Sequence, residues 1–198
     1  MKEINGLPCY KATVDSEDTG MVVVSLVDDP AVEVNFLAFN KKQPLQFKIE
    51  DEEQRKVLGV VMRPNYPMYR RNDDFEYYIE YTPETIHQMA EKFFATMNVN
   101  NVDTDHNFEL VDGVVLTQAF FKNVDKGINP AGFEELPDDT LFFEYHIFND
   151  EVWEGVKDGT WKGFSLAGTF DVVPIEAKKQ TVLDDIENLI TKIQNKLK

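Results

Sequence analysis

Ser165 lies in the stretch WKGFSLAG, residues 161–168. A serine hydroxyl is a weak nucleophile at neutral pH until a neighbouring base takes its proton. What Ser165 can do therefore depends on which histidine reaches it, and the chain has three: His87, His106 and His146. His87 falls off the apolar stripe of a helical segment and reads as solvent-facing. His146 lies inside the aromatic run FFEYHIF, where a core or sheet-face place is the simpler reading. His106, in NVDTDHNFEL, sits where a strand runs into polar residues. Flanked by Asp105 and Asn107, it is placed to face a cleft with its ring held by a hydrogen bond. The window around Ser165 lacks the G-x-S-x-G elbow. From the residues alone, a small residue in a buried strand and a histidine bonded in a turn remain open beside the catalytic pair.

Other chemistries find less footing. Asp103 and Asp105 alternate before His106, but DTDHNFEL lacks the glycine of an EF-hand loop. Cys9 is the single cysteine, so there is no intramolecular disulfide, and no Cys/His cluster has zinc spacing. There is no P-loop and no G-x-G-x-x-G, and no cofactor or metal is expected. Two acids suited to glycoside hydrolysis could come from anywhere in so acidic a chain, and no spacing singles out a pair. The formal net charge of −16 would be repelled by phosphate backbones, which disfavours nucleic acid as a partner. The best basic patch, Arg63, Arg70 and Arg71, is diluted by Asp73 and Asp74. No apolar run approaches the ~20 residues of a membrane span, and the first twenty residues lack a signal-peptide core. These features predict a soluble protein of a reducing cytoplasm, with no membrane partner.

The elements that must hold these residues are mostly strands. With 42% hydrophobic residues and 12% aromatics, the chain can build a substantial core. Residues 21–27 (MVVVSLV), 34–39, 45–49, 57–62 and an alternating run at 75–81 read as strands. A helix follows, with Thr82 as N-cap, Pro83 in its first position, and Ile86, Met89, Ala90, Phe93, Phe94 and Met97 on one stripe. Strands are predicted near 99–108, 111–121 and 141–148. A short helix is predicted from Asp150 to Lys157, capped by Asn149 and stopped at Gly159, and then a strand carrying Ser165 to Val173, broken at Pro174. Leu183, Ile186, Ile190, Ile193 and Leu197 form a two-heptad seam in the tail. The plan is an α+β, mainly β domain over residues 1–174 and an amphipathic helix over 175–198.

Several stretches, in order, resemble the phage prohead (capsid maturation) serine proteases of the XkdF type. They are VVSLVDDPAVEVNFLAF at 23–39, GVVMRPNYPMYRR at 59–71, AEKFF at 90–94, NVNNVDTDHN at 98–107 and NDEVWEGVKDGTWKGFSLAG at 149–168. The Arg-Pro-Asn-Tyr-Pro turn and the KGFS strand carry most of the weight. The resemblance implies an assemblin-like β-barrel surrounded by a few helices. It also implies an endopeptidase cutting scaffold and capsid proteins inside an immature head. It maps the catalytic histidine and serine onto His106 and Ser165. Relatives of this type often carry an acid two positions after the serine, where this chain has Ala167. The orienting acid is then expected at Glu144 or Asp171, with Asp105 and His146 as further substitutes.

The resemblance also implies partners and a place. The partners are the phage major capsid protein and the scaffold protein, and the place is the host cytoplasm, inside the assembling prohead. Ala167 motivates an alternative, a catalytically inactive protease-fold protein serving as a virion structural or assembly component. The tail seam is expected to pack against another chain, whether a second copy or a head protein, with folding back onto the domain as the equal alternative.

Overall fold

The computed structural model describes residues 1–14, 19–28, 48–51, 54–71 and 75–176. The expected strand at 34–39, the acids Asp73 and Asp74 and the tail seam lie outside the described residues. Apolar runs with β-branched residues become strands buried on both faces. Thus β3 (Gly20–Val27), β5 (Lys56–Met62) and β10 (Leu141–Ile147) are almost wholly buried. Each lies between two partners. With β4 (Lys48–Asp51) and β9 (Val114–Phe121), the second and third form a sheet of order β4-β5-β10-β9.

β3 is the middle of a second sheet, between β8 (Val102–Thr104), which is parallel to it, and β11 (Gly163–Thr169), which is antiparallel. A third sheet has the order β1-β2-β7-β6, from Glu3–Ile4, Leu7–Thr13, Glu76–Glu80 and Met68–Arg71, with β12 (Asp171–Pro174) also paired to β2. Among the described residues the fold is mainly β with two α-helices. Among the described residues its strands form open sheets rather than the closed barrel that the family resemblance implied.

Two of the three predicted helices fall within the described residues, and both form where their capping residues stand. In α1 (Pro83–Ala95), Thr82 Oγ1 accepts the Thr85 amide at 3.3 Å. The stripe of Ile86, Met89, Ala90 and Phe93 is buried, with Phe93 stacked on Phe143 of β10 at 5.8 Å. In α2 (Asp150–Lys157), Asn149 accepts the Val152 amide at 3.1 Å, and Gly159 takes a left-handed turn at φ +80° just beyond the end. Lys122, 1% exposed, donates to the carbonyls of Phe133, Glu134 and Leu136 and so closes the following loop from inside.

One strand departs from its sequence reading. The run expected to continue from Ser165 to Val173 is two strands in two sheets. The register of β11 on β3 shifts between Ala167 and Gly168. A Cβ on Gly168 would lie 2.1 Å from the Gly20 carbonyl oxygen, so the backbones meet there as only glycine allows. Phe170 then packs edge-on against Tyr81 at 5.5 Å, and β12 pairs with β2 instead.

Candidate active site

The sheet β11-β3-β8 has two different faces. Val24 and Leu26 of β3, Phe164 and Leu166 of β11 and Val102 of β8 belong to the hydrophobic core. Side chains alternate across a strand, so the opposite face carries Val23, Ser25 and Val27, Ser165 and Ala167, and Asp103. On that face one cross-strand row is entirely polar. Ser165 pairs with Ser25, and Ser25 pairs with Asp103. Directly paired residues lie about 5 Å apart and point to the same side. Ser25 and Asp103 are 0% exposed and Ser165 is 4% exposed.

His106 reaches this row from a tight turn at the end of β8. The turn begins as a continuation of the sheet, with the Asp105 amide donating to Leu26 O at 2.9 Å. It then runs through left-handed backbone at Asp105 (φ 56°), His106 (φ 57°) and Phe108 (φ 60°). Non-glycine residues take this conformation at a cost, and such strain collects where the fold must aim a side chain. Asp103 Oδ2 accepts the Phe108 amide at 2.7 Å and fastens the turn to the strand. The outcome is one contact: His106 Nδ1 lies 2.9 Å from Ser25 Oγ.

His106 is an exposed residue whose inner edge meets buried Ser25. Burial pushes its imidazole below the ordinary histidine range. Asp103 opposes that shift, Arg70 adds to it, and Asp105 opposes it. The neutral ring, the form that can act as a base, is thus favoured at neutral pH. Cys9, by contrast, is buried beside Glu80, and its thiol is pushed up to about 11, which removes it as a competing nucleophile. Asp28, Asp105, Asp158, Trp161 and Lys162 line an open pocket of about 500 Å³, which Asp105 borders next to His106 in the chain.

Of the residues singled out from sequence, the sheet brings Ser165 and His106 to one face. Ser165 Oγ has no hydrogen-bond partner among the described residues, and the group on His106 Nδ1 is Ser25. Glu144 stands on β10 in the other sheet. Its carboxylate accepts Thr117 Oγ1 at 2.6 Å and Gln118 Nε2 at 3.2 Å, and faces Lys56 Nζ at 3.4 Å. Asp171 is exposed on β12, paired with Thr13. Neither acid bonds His106. Ala167 pairs with Val23, so an acid there would stand one row away from Ser25. His146 stacks on Phe148 at 3.8 Å, and His87 stacks on Phe121 at 3.7 Å while facing Asp139. Arg63 sits over the Tyr66 ring at 4.5 Å, so the Arg-Pro-Asn-Tyr-Pro turn holds itself together. Among the described residues no group of three His, Cys, Asp or Glu side chains could hold a metal ion.

Ser25 and Asp103 were not assigned to a site by sequence reasoning. A lone serine in MVVVSLV was the available signal, because a buried hydroxyl needs a partner. Asp103 showed only as one of two alternating acids.

Residues 44–174 match the family described as "Putative phage serine protease XkdF". The chain belongs to this XkdF family. Ser165, His106 and Asp103 lie inside the matched span, and Ser25 precedes it. The phage-like element PBSX protein XkdF of Bacillus subtilis (strain 168) is 31% identical over 167 residues, covering 75% of this chain and 52% of the relative. The chain therefore spans about half the length of that curated relative. No solved structure matches.

Proposed function

We propose that this chain is a prohead serine endopeptidase that cuts scaffold and capsid proteins during phage head maturation. Ser165 is the nucleophile and His106 the general base. The supporting observation is the register itself: Ser165 pairs with the serine that His106 bonds, in a chain of the XkdF family. In the reaction Ser165 Oγ attacks the scissile carbonyl while the free His106 Nε2 takes its proton. The imidazolium then returns that proton to the leaving amine, and water hydrolyses the acyl-enzyme by the same exchange. Unliganded catalytic contacts are commonly loose and tighten on substrate, which fits a Ser165 hydroxyl without a partner. The pocket beside Asp105 leaves room for a substrate residue flanking the cut.

The test is co-expression with the capsid and scaffold proteins of the same phage, comparing wild type and Ser165→Ala by intact mass. Serine-dependent truncation of a head protein is expected. No truncation, with the chain retained in purified virions, would leave the alternative of a structural or assembly component.

A further inference from the structure

A histidine base works when its second nitrogen is held, because the bond at one nitrogen decides the tautomer and orientation of the ring. In serine proteases an acid usually does this. Here the acids expected for that role do not bond His106, and the partner of Nδ1 is the Ser25 hydroxyl at 2.9 Å. Ser25 is 0% exposed on the central strand, with β11 on one side and β8 on the other. It is better placed to hold a ring than to attack a substrate.

Next in the same row stands Asp103, also 0% exposed. Among the described residues its Oδ1 has no hydrogen-bond partner. A buried carboxylate oxygen left unpaired is costly, and native folds keep such groups where they have a use. The other two unpaired buried oxygens among the described residues, on Tyr81 and Tyr145, belong to neutral phenols.

We propose, resting on the serine-protease reading above, that Ser25 is the positioning residue of this site, accepting the His106 Nδ1 proton in place of an acid. Asp103, one strand further, supplies the negative charge that steadies the imidazolium. The chain of groups runs Ser165 to His106 Nε2, His106 Nδ1–H to Ser25 Oγ, and the hydrogen of Ser25 turned towards Asp103. No proton leaves the ring through Ser25. The Nδ1 hydrogen stays on the ring, and only Nε2 gains and loses one. The charged groups facing His106 are Asp103 on β8, Asp105 in its own turn and Arg70 on β6.

Nitrogen-15 NMR of His106 in the full chain reads this without any substrate. At neutral pH the wild type should carry its proton on Nδ1. Ser25→Ala should lose that single tautomer, and Ser25→Thr, which keeps a hydroxyl, should retain it. With a cleavable head protein, Ser25→Ala should lower kcat about 10- to 100-fold with KM nearly unchanged, and Ser25→Thr should restore most of it. A proton on Nε2 in the wild type, with Ser25 donating into Nδ1, would overturn the proposal. So would a Ser25→Ala variant with unchanged tautomer and kcat. If Ser25→Ala does not fold, the wild-type tautomer still decides. Absence of any cleavage by the wild type would sink the protease reading and leave the tautomer result standing on its own.

Discussion

Glu144 and Asp103 are both buried acids on strands, one in each of two neighbouring sheets, and the fold treats them in opposite ways. Around Glu144, Thr117 and Gln118 donate and Lys56 balances the charge. Around Asp103, one oxygen is used to fasten a turn and the other meets no donor among the described residues. Lys122 belongs with Glu144: a buried charge whose three protons meet three carbonyls. A fully partnered buried charge is structure, since its energy is spent on holding loops and strands. A half-partnered one beside a strained turn and a histidine holds something in reserve for chemistry. On the proposed function, the sheet β4-β5-β10-β9 is the stability side of the molecule and β11-β3-β8 the side that carries the reaction.

The contrast makes predictions that separate activity from stability. The largest effect belongs to the reactive side. His106→Ala should lower cleavage of a head protein by roughly 10⁴-fold, while stability falls by only about 1 kcal/mol, because the side chain is largely exposed and the loss is its bond to the buried Ser25 hydroxyl. A large loss of stability would break the comparison.

On the stability side, Lys122→Met leaves three carbonyls without their donor. Urea unfolding should show a loss of about 3 kcal/mol, with cleavage by the surviving folded fraction unchanged.

Asp103→Asn should do the reverse at a smaller scale. It keeps an acceptor for the Phe108 amide, so stability should change by less than about 1 kcal/mol, while kcat falls roughly 10-fold. The pH profile gives the sign. His106 must be neutral to act, so activity falls as pH drops through its pKa. Burial already holds that pKa below the ordinary range and Asp103 opposes the shift. The acid limb should therefore move to still lower pH in Asp103→Asn. A limb moving upward would refute the assignment.

Glu144→Gln is the smallest. It weakens the contacts to Lys56 and Gln118, and a cost of about 1 kcal/mol should appear in unfolding with kcat unaltered. Loss of kcat there would return Glu144 to the catalytic group.

Much of the frame was legible in the chain because its signals are local. The Thr82-Pro83-Glu84 start, the Asn149 cap and the β-branched runs act within a few residues, and each formed its element. Pairing is not local. The strand order β11-β3-β8, with a parallel step to β8, decides that Ser25 and Asp103 flank one another, and nothing in MVVVSLV or NVDTD encodes that neighbour. The break after Gly168 was missed for the same reason, since it depends on the approach of Gly20 from a distant strand. Residue type and context singled out Ser165 and His106, and the family resemblance mapped the catalytic pair onto them. Its first stretch, VVSLVDDPAVEVNFLAF, contains Ser25 but assigns it no role.

The central claim, that Ser165 is the residue activated by His106, is tested most directly by a fluorophosphonate, which marks only activated serines. The full-length protein is labelled, digested and mapped by peptide mass. The account predicts a single adduct on the peptide containing Ser165, absent from His106→Ala. An adduct on Ser25, or labelling that persists without His106, would contradict it.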